Sequence, residues 1–275
     1  MILPGEWISL SQAEAQMKFN QWNESKNVVI LDTETTGLYE AEIVEIAVID
    51  TSGNVLLNTL VKPKNGIPEE VTAIHGITNE MVAGAPTWPE VWEQLYSILN
   101  GKKVLIYNSD FDIRLMKESF YPWEDELGWE RVDKLIELID ELDTDCVMKI
   151  YATLINAPKW LKLREAAGRE TAHRALDDCM ATLEVVKKAY KPEFTELDYH
   201  RIGLYEEYQY IEGALERITE ELMELADRQR KLLRDRQKCL AALLDDQQLQ
   251  EYIKTKKEVA AADPFADDDL ISDED

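Results

Sequence analysis

The stretch "VVILDTETTGL", from Val28 to Leu38, constrains the fold most, because its apolar run ends in two closely spaced carboxylates. Successive side chains of an extended strand point to opposite faces, so Asp32 and Glu34 would share one face. Two carboxylates buried side by side repel each other unless a positively charged group binds between them. The stretch therefore predicts a buried strand whose end needs a positively charged partner.

The surrounding segments predict an α/β fold whose sheet begins antiparallel and then alternates with helices. A strand at about Val28–Asp32 precedes two apolar runs, and Ser52-Gly53-Asn54 between those runs is typical of a hairpin turn. Ser11 and Glu14 have the spacing of a helix capping box. A further strand is expected at 102–108, and helices are expected at 86–100, 111–120, 146–155 and 173–190.

Two other segments place acidic or imidazole side chains near the ends of apolar elements. Asp112 follows the strand at 102–108, at a strand-to-helix junction of the kind where α/β sites assemble. His173 precedes Asp177 and Asp178 in "HRALDDCMAT". Helical spacing puts His173 and Asp177 on one face, but the residues alone leave open which of the two aspartates joins the site.

Four carboxylates around one space would repel one another without cations. Oxygen ligands with few imidazoles and no thiolate pattern favour Mg²⁺ or Mn²⁺ over zinc. Two such ions about 4 Å apart would activate a water and stabilise the leaving oxygen of a phosphodiester. His173 would then take the proton from that water. This set of residues therefore predicts a phosphodiester hydrolase that uses two metal ions.

Three motifs in the same order resemble those of the DEDDh exonucleases, the DnaQ-like group of the ribonuclease H-like superfamily. They are "LDTETTGL", "NSDFD" and "HRALDD". "IPEEVTAIHGITNEMV" is similar to the segment that the family carries between its first two motifs, whereas "WLKLREAAGRE" matches the stretch before the third motif only loosely. The resemblance covers about residues 27–190.

The resemblance implies a ribonuclease H-like mixed sheet flanked by helices, and 3′–5′ removal of nucleoside 5′-monophosphates from single-stranded ends. The family spacing H-x-x-x-x-D selects Asp178 over Asp177, with the histidine on a loop before the helix. The implied metal ligands are Asp32, Glu34, Asp112 and Asp178, which are catalytic together with His173. Thr35, Thr36 and Leu38, with Asn108 of the second motif, are the implied substrate-binding residues.

Several other residues are expected to have supporting places. Glu45 would support the site or the sheet rather than bind metal, and His75 would order its loop. Trp123 and Trp129 lie in an acidic stretch, 121–145, that the pattern does not assign. Packing against the body is the expected place of these two indoles, and stacking on nucleobases is the alternative.

The C-terminal part has a different pattern. From about Leu204, apolar residues alternate by three and four as in a heptad seam, so residues 204–240 are expected to pair two copies of the chain; a helix packed on the body is the alternative. A basic band at 228–238 would guide the nucleic-acid backbone or form an ordinary solvated face. We expect an exonuclease domain at 1–200, a helical extension at 201–262 and a disordered acidic tail at 263–275. The tail would recruit a protein partner, cover a basic surface or remain a free solvated end.

Composition limits the partners. The net charge of −25 argues against a large non-specific nucleic-acid footprint, although an enzyme that holds only a strand end is compatible with it. Three scattered cysteines suit a reducing cytoplasm, and neither a signal peptide nor a membrane span is expected. DNA is the favoured substrate and an RNA-trimming activity is the alternative. A scaffold that binds ends and recruits partners is a different alternative, which the complete acidic set argues against.

Overall fold

A computed structural model describes residues 8–244 and 246–261 of the chain. These residues belong to two compact units, of which the first ends at Tyr205 and the second begins at Glu206. This division was predicted near residue 200, and the predicted acidic tail at 263–275 lies outside the described residues. Within the described part of the chain, no helix combines the length and the apolar character needed to cross a membrane.

A five-stranded mixed sheet forms the centre of the first unit, in the order β3-β2-β1-β4-β5. The strand β1 pairs antiparallel with β2 and parallel with β4, so it lies in the middle of the sheet. The outer pairs are β2 with β3, antiparallel, and β4 with β5, parallel. The strands are β1 (Val28–Thr35), β2 (Ile43–Asp50), β3 (Val55–Leu60), β4 (Lys103–Ile106) and β5 (Thr144–Cys146).

Helices cover both faces of this sheet, which confirms the predicted α/β class. The helices of the first unit are α1 (Leu10–Glu24), α2 (Glu69–His75), α3 (Asn79–Val82), α4 (Trp88–Leu99), α5 (Ser109–Glu118), α6 (Glu124–Leu127), α7 (Trp129–Asp140), α8 (Val147–Leu154), α9 (Leu163–Ala167) and α10 (Ala175–Lys188). Two more follow, α11 (Glu196–Leu244) and α12 (Asp246–Ala261).

The strand β1 divides the core into two layers through its alternating side chains. Val28 and Ile30 pack into the cluster formed with α1, α8 and α10. Val29 and Leu31 pack into the opposite cluster, with α4, α5 and α7. Because all four side chains are buried, the run is apolar on both faces. This packing fixes the direction in which the next residues of β1 point.

The hairpin predicted at residues 52–54 is present between β2 and β3. Asp50 stabilises the turn, because its side chain accepts hydrogen bonds from the backbone N–H groups of Ser52 and Asn54 at 2.8 and 2.9 Å. Gly53 has a φ of 87°, a conformation that glycine adopts without a steric penalty.

Two sequence predictions need correction, and one unassigned stretch can now be placed. The capping box of α1 is formed by Ser9 and Gln12, not by Ser11 and Glu14, so the helix begins at Leu10. The strand β1 continues to Thr35 rather than ending at Asp32, because β2 pairs with it over that length. The unassigned stretch 121–145 is part of the core, since α7 buries Val132 and Ile139.

The second unit is helical. The helix α11 runs from Glu196 to Leu244. Near its end, the Cys239 thiol lies 3.8 Å from the Tyr252 hydroxyl of α12. Cys239 and Tyr252 are thirteen residues apart, a separation of about 20 Å along one straight helix. Because their side chains are in contact, α12 turns back toward α11.

Candidate active site

The last residues of β1 carry the first two carboxylates of the site. Asp32 and Glu34 continue the alternation of Val28 and Ile30, so they point to the face of the sheet that α10 covers. Both side chains are half-buried. The buried strand therefore delivers two acidic groups, two residues apart, to one side of its end.

The helix α10 brings a third carboxylate to the same place. One carboxylate oxygen from each of Asp32, Glu34 and Asp178 can be chosen so that all three lie within 4.8 Å of one another. The Oδ1 atom of Asp178 is buried and has no hydrogen-bond partner. A buried oxygen without a partner is costly, which indicates that a ligand belongs in this position.

Asp112 lies beside this group but is held differently. It occupies the first turn of α5, directly after β4, and its side chain is 4% exposed. The hydroxyl of Thr33 donates a hydrogen bond of 2.8 Å to its Oδ1 atom. The charge of Asp112 contributes to the raised pKa of Asp32, so the two carboxylates are close. The structure thus gathers three of the four predicted ligands directly and places Asp112 next to them.

All four carboxyl groups have raised pKa values. Burial is the largest cause, and it raises the pKa of Glu34 to about 8 and that of Asp112 to about 7. Burial also raises the pKa of Asp32 and of Asp178, and for Asp32 the charges of Asp112, Asp178 and Glu34 raise it further. Such a site holds protons near neutral pH unless cations replace them.

The donor set fits a divalent metal ion. The three gathered ligands are all carboxylates, and the orphaned Oδ1 of Asp178 offers a free lone pair to a cation. Oxygen-only sites suit Mg²⁺ and Mn²⁺, whereas zinc sites are rich in thiolates and imidazoles. Asp32, Glu34 and Asp178 are therefore the residues that could hold a metal ion, with Asp112 as the predicted fourth ligand beside them.

His173 lies outside α10, in the loop that leads into it. Its φ is 49°, in the left-handed region that few residues other than glycine adopt. The loop is fixed just before it, because the N–H of Ala172 donates to Oδ2 of Asp177 at 2.8 Å. Arg169 holds the same carboxylate from the other side, with its Nη1 atom 3.1 Å from Oδ2. Asp177 therefore anchors the loop of His173 and is not one of the clustered carboxylates.

An ion pair between the partly exposed Arg174 and the buried Glu45 fixes the other side of this loop. Glu45 of β2 is 3% exposed, and the Nε atom of Arg174 donates to its Oε2 at 2.9 Å. The same oxygen accepts the backbone N–H of Ala175, the first residue of α10, at 3.0 Å. Glu45 thus attaches the start of α10 to the sheet, consistent with its expected supporting place.

The sequence patterns did not identify Arg174 or Thr33, and they left open whether Asp177 is solvated or supports the site. One sequence signal could have identified Arg174. An acidic residue in the middle of the apolar stretch "EIVEIAV" needs a cationic partner, and Arg174 adjoins the third motif. For Thr33, alternation along β1 predicts only that it faces away from Asp32 and Glu34.

The predicted substrate-binding residues differ in their exposure. Thr35 is buried, and its hydroxyl donates to the carbonyl of Gly37 at 2.7 Å. The hydroxyl of Thr36 accepts the N–H of Glu42 at 2.9 Å. Leu38 is 66% exposed, and Asn108 is also exposed, at the start of α5. The threonines order this loop, while Leu38 and Asn108 present their side chains to solvent.

His75 is buried beside the same loop. Its Nδ1 atom accepts the N–H of Ile77 at 3.0 Å, which leaves the hydrogen of a neutral ring on Nε2. The backbone carbonyl of Thr35 is among the groups that influence the pKa of His75, although burial dominates and lowers that pKa. His75 therefore orders its own turn, the place expected for it.

The two tryptophans of the 121–145 stretch have different surroundings. Trp123 is half-buried, with the ammonium group of Lys64 5.0 Å from its ring centre. Trp129 is 55% exposed at the start of α7. Trp123 thus packs on the body, and the expectation of packing does not hold for Trp129.

Comparisons with known proteins agree with this geometry. A family model described as an exonuclease, of the ribonuclease T type, matches residues 29–186. The chain belongs to this exonuclease family. The resemblance to the DEDDh, DnaQ-like exonucleases is thereby confirmed, as are the ribonuclease H-like fold and the assignment as a nuclease. The matched residues include all three motifs of the exonuclease.

Individual relatives cover different shares of the exonuclease. A protein described as an uncharacterized exonuclease, CP81, from Escherichia phage 186 is 41% identical over 192 residues, which is 65% of this chain and 95% of the phage protein. A DNA polymerase III subunit epsilon from Pasteurella multocida is 32% identical over 109 residues, 36% of this chain and 43% of that protein. Among solved structures, exonuclease X in complex with 5′ overhanging duplex DNA is 28% identical with a TM-score of 0.44, covering 59% of this chain and 90% of that one.

Proposed function

We propose that this exonuclease removes nucleoside 5′-monophosphates from the 3′ ends of single-stranded DNA, in a reaction that requires Mg²⁺ or Mn²⁺. The observation that carries the proposal is the group of three carboxylates, from β1 and α10, whose oxygens lie within 4.8 Å of one another beside the loop of His173. An all-oxygen group of this kind suits divalent cations and phosphodiester chemistry.

The four carboxylates have the task of holding the cations. Asp32, Glu34 and Asp178 supply oxygens directly, and Thr33 keeps Asp112 oriented beside them through its hydrogen bond. A pair of divalent ions, when bound, would supply an activated water and stabilise the leaving oxygen of the phosphodiester. Without cations the same side chains would hold protons, since burial raises their pKa values.

His173 has the task of taking a proton from the attacking water. Its side chain is exposed, so water and substrate can reach it, and it lies near enough to Asp178 that a protonated imidazole would lower the pKa of that carboxyl. The neighbouring residues are fixed, Ala172 by Asp177 and Arg174 by Glu45. A general base that is held close to its water lowers the barrier by positioning as well as by proton transfer.

The loop after β1 has the task of receiving the terminal nucleotide. Leu38 and Tyr39 are 66% and 80% exposed, and they offer apolar surface to a base or sugar. Arg114 holds the loop, because its Nη2 atom donates to the carbonyl of Leu38 at 2.8 Å. Thr35 and Thr36 shape the loop from within, and Asn108 would approach the nucleotide from α5.

DNA is proposed over RNA because one relative is named as a DNA polymerase subunit. The Pasteurella multocida relative is a DNA polymerase III subunit, and the alignment spans less than half of it. A cytoplasmic location is proposed from the cysteines, since Cys146, Cys179 and Cys239 are all free. Recruitment of a protein partner by residues 263–275 stays a prediction.

The test uses the full chain with oligonucleotides labelled at one end. With Mg²⁺, a 5′-labelled DNA strand should shorten one nucleotide at a time, and a 3′-labelled strand should release a labelled mononucleotide at once. EDTA should stop both. Faster cleavage of RNA than of DNA of the same sequence would overturn the substrate assignment. Full activity in EDTA, or internal fragments without mononucleotides, would overturn the mechanism.

A further inference from the structure

The helix α11 carries an exposed apolar stripe within the second unit. The stripe follows the three-and-four spacing of a heptad, in which Leu215 and Leu222 occupy one type of core position and Ile211, Ile218, Leu225 and Leu232 the other. Each of these six side chains is between 48% and 62% exposed. A stripe of this length on a stable helix is typical of a surface that another helix covers.

Charge along α11 is divided into two halves. Residues 206–224 contain seven acidic residues and one basic residue, whereas residues 225–243 contain six basic residues and two acidic ones. Two parallel copies would place the acidic half of α11 against the partner's acidic half, and the basic half against the partner's basic half. Two copies in opposite directions would place each acidic half against the basic half of the partner, which is the favourable arrangement.

The stripe is also complementary to itself when reversed. About an axis level with residues 223–224, Leu222 would pack against the partner's Leu225, and Leu215 against the partner's Leu232. Gln229, a polar residue at a core position, would face the partner's Ile218. Because a polar core residue restricts the register of a helix pair, Gln229 would select this alignment over shifted ones.

Flanking charges fit the same alignment. In an antiparallel pair, the side chains that flank the seam on one edge meet their own counterparts on the other copy. Glu221 and Arg228 lie on that edge, and the alignment would bring Glu221 beside the partner's Arg228 twice, once on each side of the axis. Arg236, at a core position, would lie level with the partner's Ile211, next to the partner's Glu212. The basic band at 228–238 thus has acidic partners within a second copy of the chain.

The C-terminal end of the apolar stripe contacts α12. The thiol of Cys239 contacts the Tyr252 hydroxyl of α12, so the surface open to another helix ends before Cys239. The segment from Ile211 to Arg236 is symmetric about the same axis, and its apolar stripe stays exposed among the described residues. We infer that residues 211–236 of α11 form an antiparallel two-helix coiled coil with a second copy of the chain, and that the two chains enter it from opposite ends.

Sedimentation equilibrium of the full chain tests the pairing, with two adjacent substitutions as a matched pair. Leu222 and Met223 are 60% and 64% exposed, but only Leu222 lies in the seam. Wild type and Met223→Glu should have about twice the 31.7 kDa mass of one chain, and Leu222→Glu should have the mass of one chain. A monomeric wild type, or equal behaviour of the two variants, would overturn the proposal.

Disulfide cross-linking tests the direction. In a Cys239→Ser background, the variants Leu215→Cys and Leu232→Cys should each fail to cross-link under mild oxidation, whereas the double variant should form a covalent dimer. A parallel pair would instead cross-link each single variant to itself. Failure of the double variant, with the dimer intact, would show that the proposed register is wrong. Nuclease activity of every variant reports that the first unit is folded.

Discussion

Glu45 is a carboxylate inside the apolar strand β2, and it shows how single residues support this site. Its charge is tolerated because Arg174 pairs with it and Ala175 donates a backbone N–H to it. Arg174→Gln would leave that buried charge without its cation, so we expect the free energy of unfolding to fall by about 3 kcal/mol.

The matched variant is Glu45→Gln. Its amide oxygen can still accept the N–H of Ala175, and the side chain of Arg174 is 41% exposed and can be solvated. Urea unfolding of both variants measures the difference, and the loss for Glu45→Gln should be the smaller one. An equal or larger loss for Glu45→Gln would mean that the charge of Glu45 is not what Arg174 balances.

His173 is the residue whose loss should affect turnover most selectively. His173→Ala should reduce kcat about 10²- to 10⁴-fold, with little change in cation binding, because a general base is removed and no metal ligand is lost. His200→Ala is the control, since His200 is exposed on α11 and lies 3.7 Å from Glu196. Steady-state measurements of kcat and KM for both variants test this prediction. An unchanged kcat with a raised KM would make His173 a binding residue.

The choice between Asp177 and Asp178 shows what sequence alone could supply at this scale. Helical spacing from His173 points to Asp177, but His173 has a φ of 49° and lies outside the helix, so that spacing does not apply. The family pattern pointed to Asp178, which the structure places with Asp32 and Glu34. The anchoring of Asp177 by Arg169 depends on a tertiary contact that no local pattern contains.

At the scale of elements, three segments far apart in the chain meet because of strand order. The strand β1 lies between β2 and β4, so the end of β1, the start of α5 after β4, and α10 converge. The sequence predicted the existence of most of these elements from their apolar spacing. The ends of the elements were harder to predict. The last residues of β1 are polar, and they belong to the strand because they pair with β2.

The carboxylates on these elements should make the stability of the metal-free protein depend on pH. The pKa of Glu34 rises from 4.5 to about 8 and that of Asp112 from 3.8 to about 7, chiefly through burial. At a pH between the ordinary and the raised pKa of each group, the unfolded chain has released a proton that the folded chain still binds. Stability in EDTA should therefore fall as the pH rises from about 5 to about 8.

Divalent cations should reverse this trend. Binding to the ionised carboxylates stabilises the folded state, so Mn²⁺ should raise Tm more at about pH 8 than at about pH 5.5. Thermal unfolding at both pH values, with and without Mn²⁺, gives the comparison. Glu34→Gln removes one titrating group and should reduce the pH dependence in EDTA. The same Tm increase at both pH values would contradict the link between proton release and cation binding.

At the scale of the whole molecule, a net charge of −25 limits how the exonuclease holds nucleic acid. Such a surface repels phosphates, so contact should be restricted to the few nucleotides at the site. We expect DNA strands of about 10 and about 40 nucleotides to have similar kcat/KM values per end. A kcat/KM that rises steeply with length, and falls steeply with salt, would show that a long basic surface takes part.

Direct measurement of Mn²⁺ binding tests the central claim, that the carboxylates of β1 and α10 form a cation site. The electron paramagnetic resonance signal of free Mn²⁺ should decrease when the wild-type chain is added, because the chain binds the ion. Asp178→Asn should weaken that binding at least about tenfold, whereas Asp177→Asn should leave it nearly unchanged, because Asp177 holds the loop of His173 instead. Wild-type affinity in Asp178→Asn, or its loss in Asp177→Asn, would contradict the account.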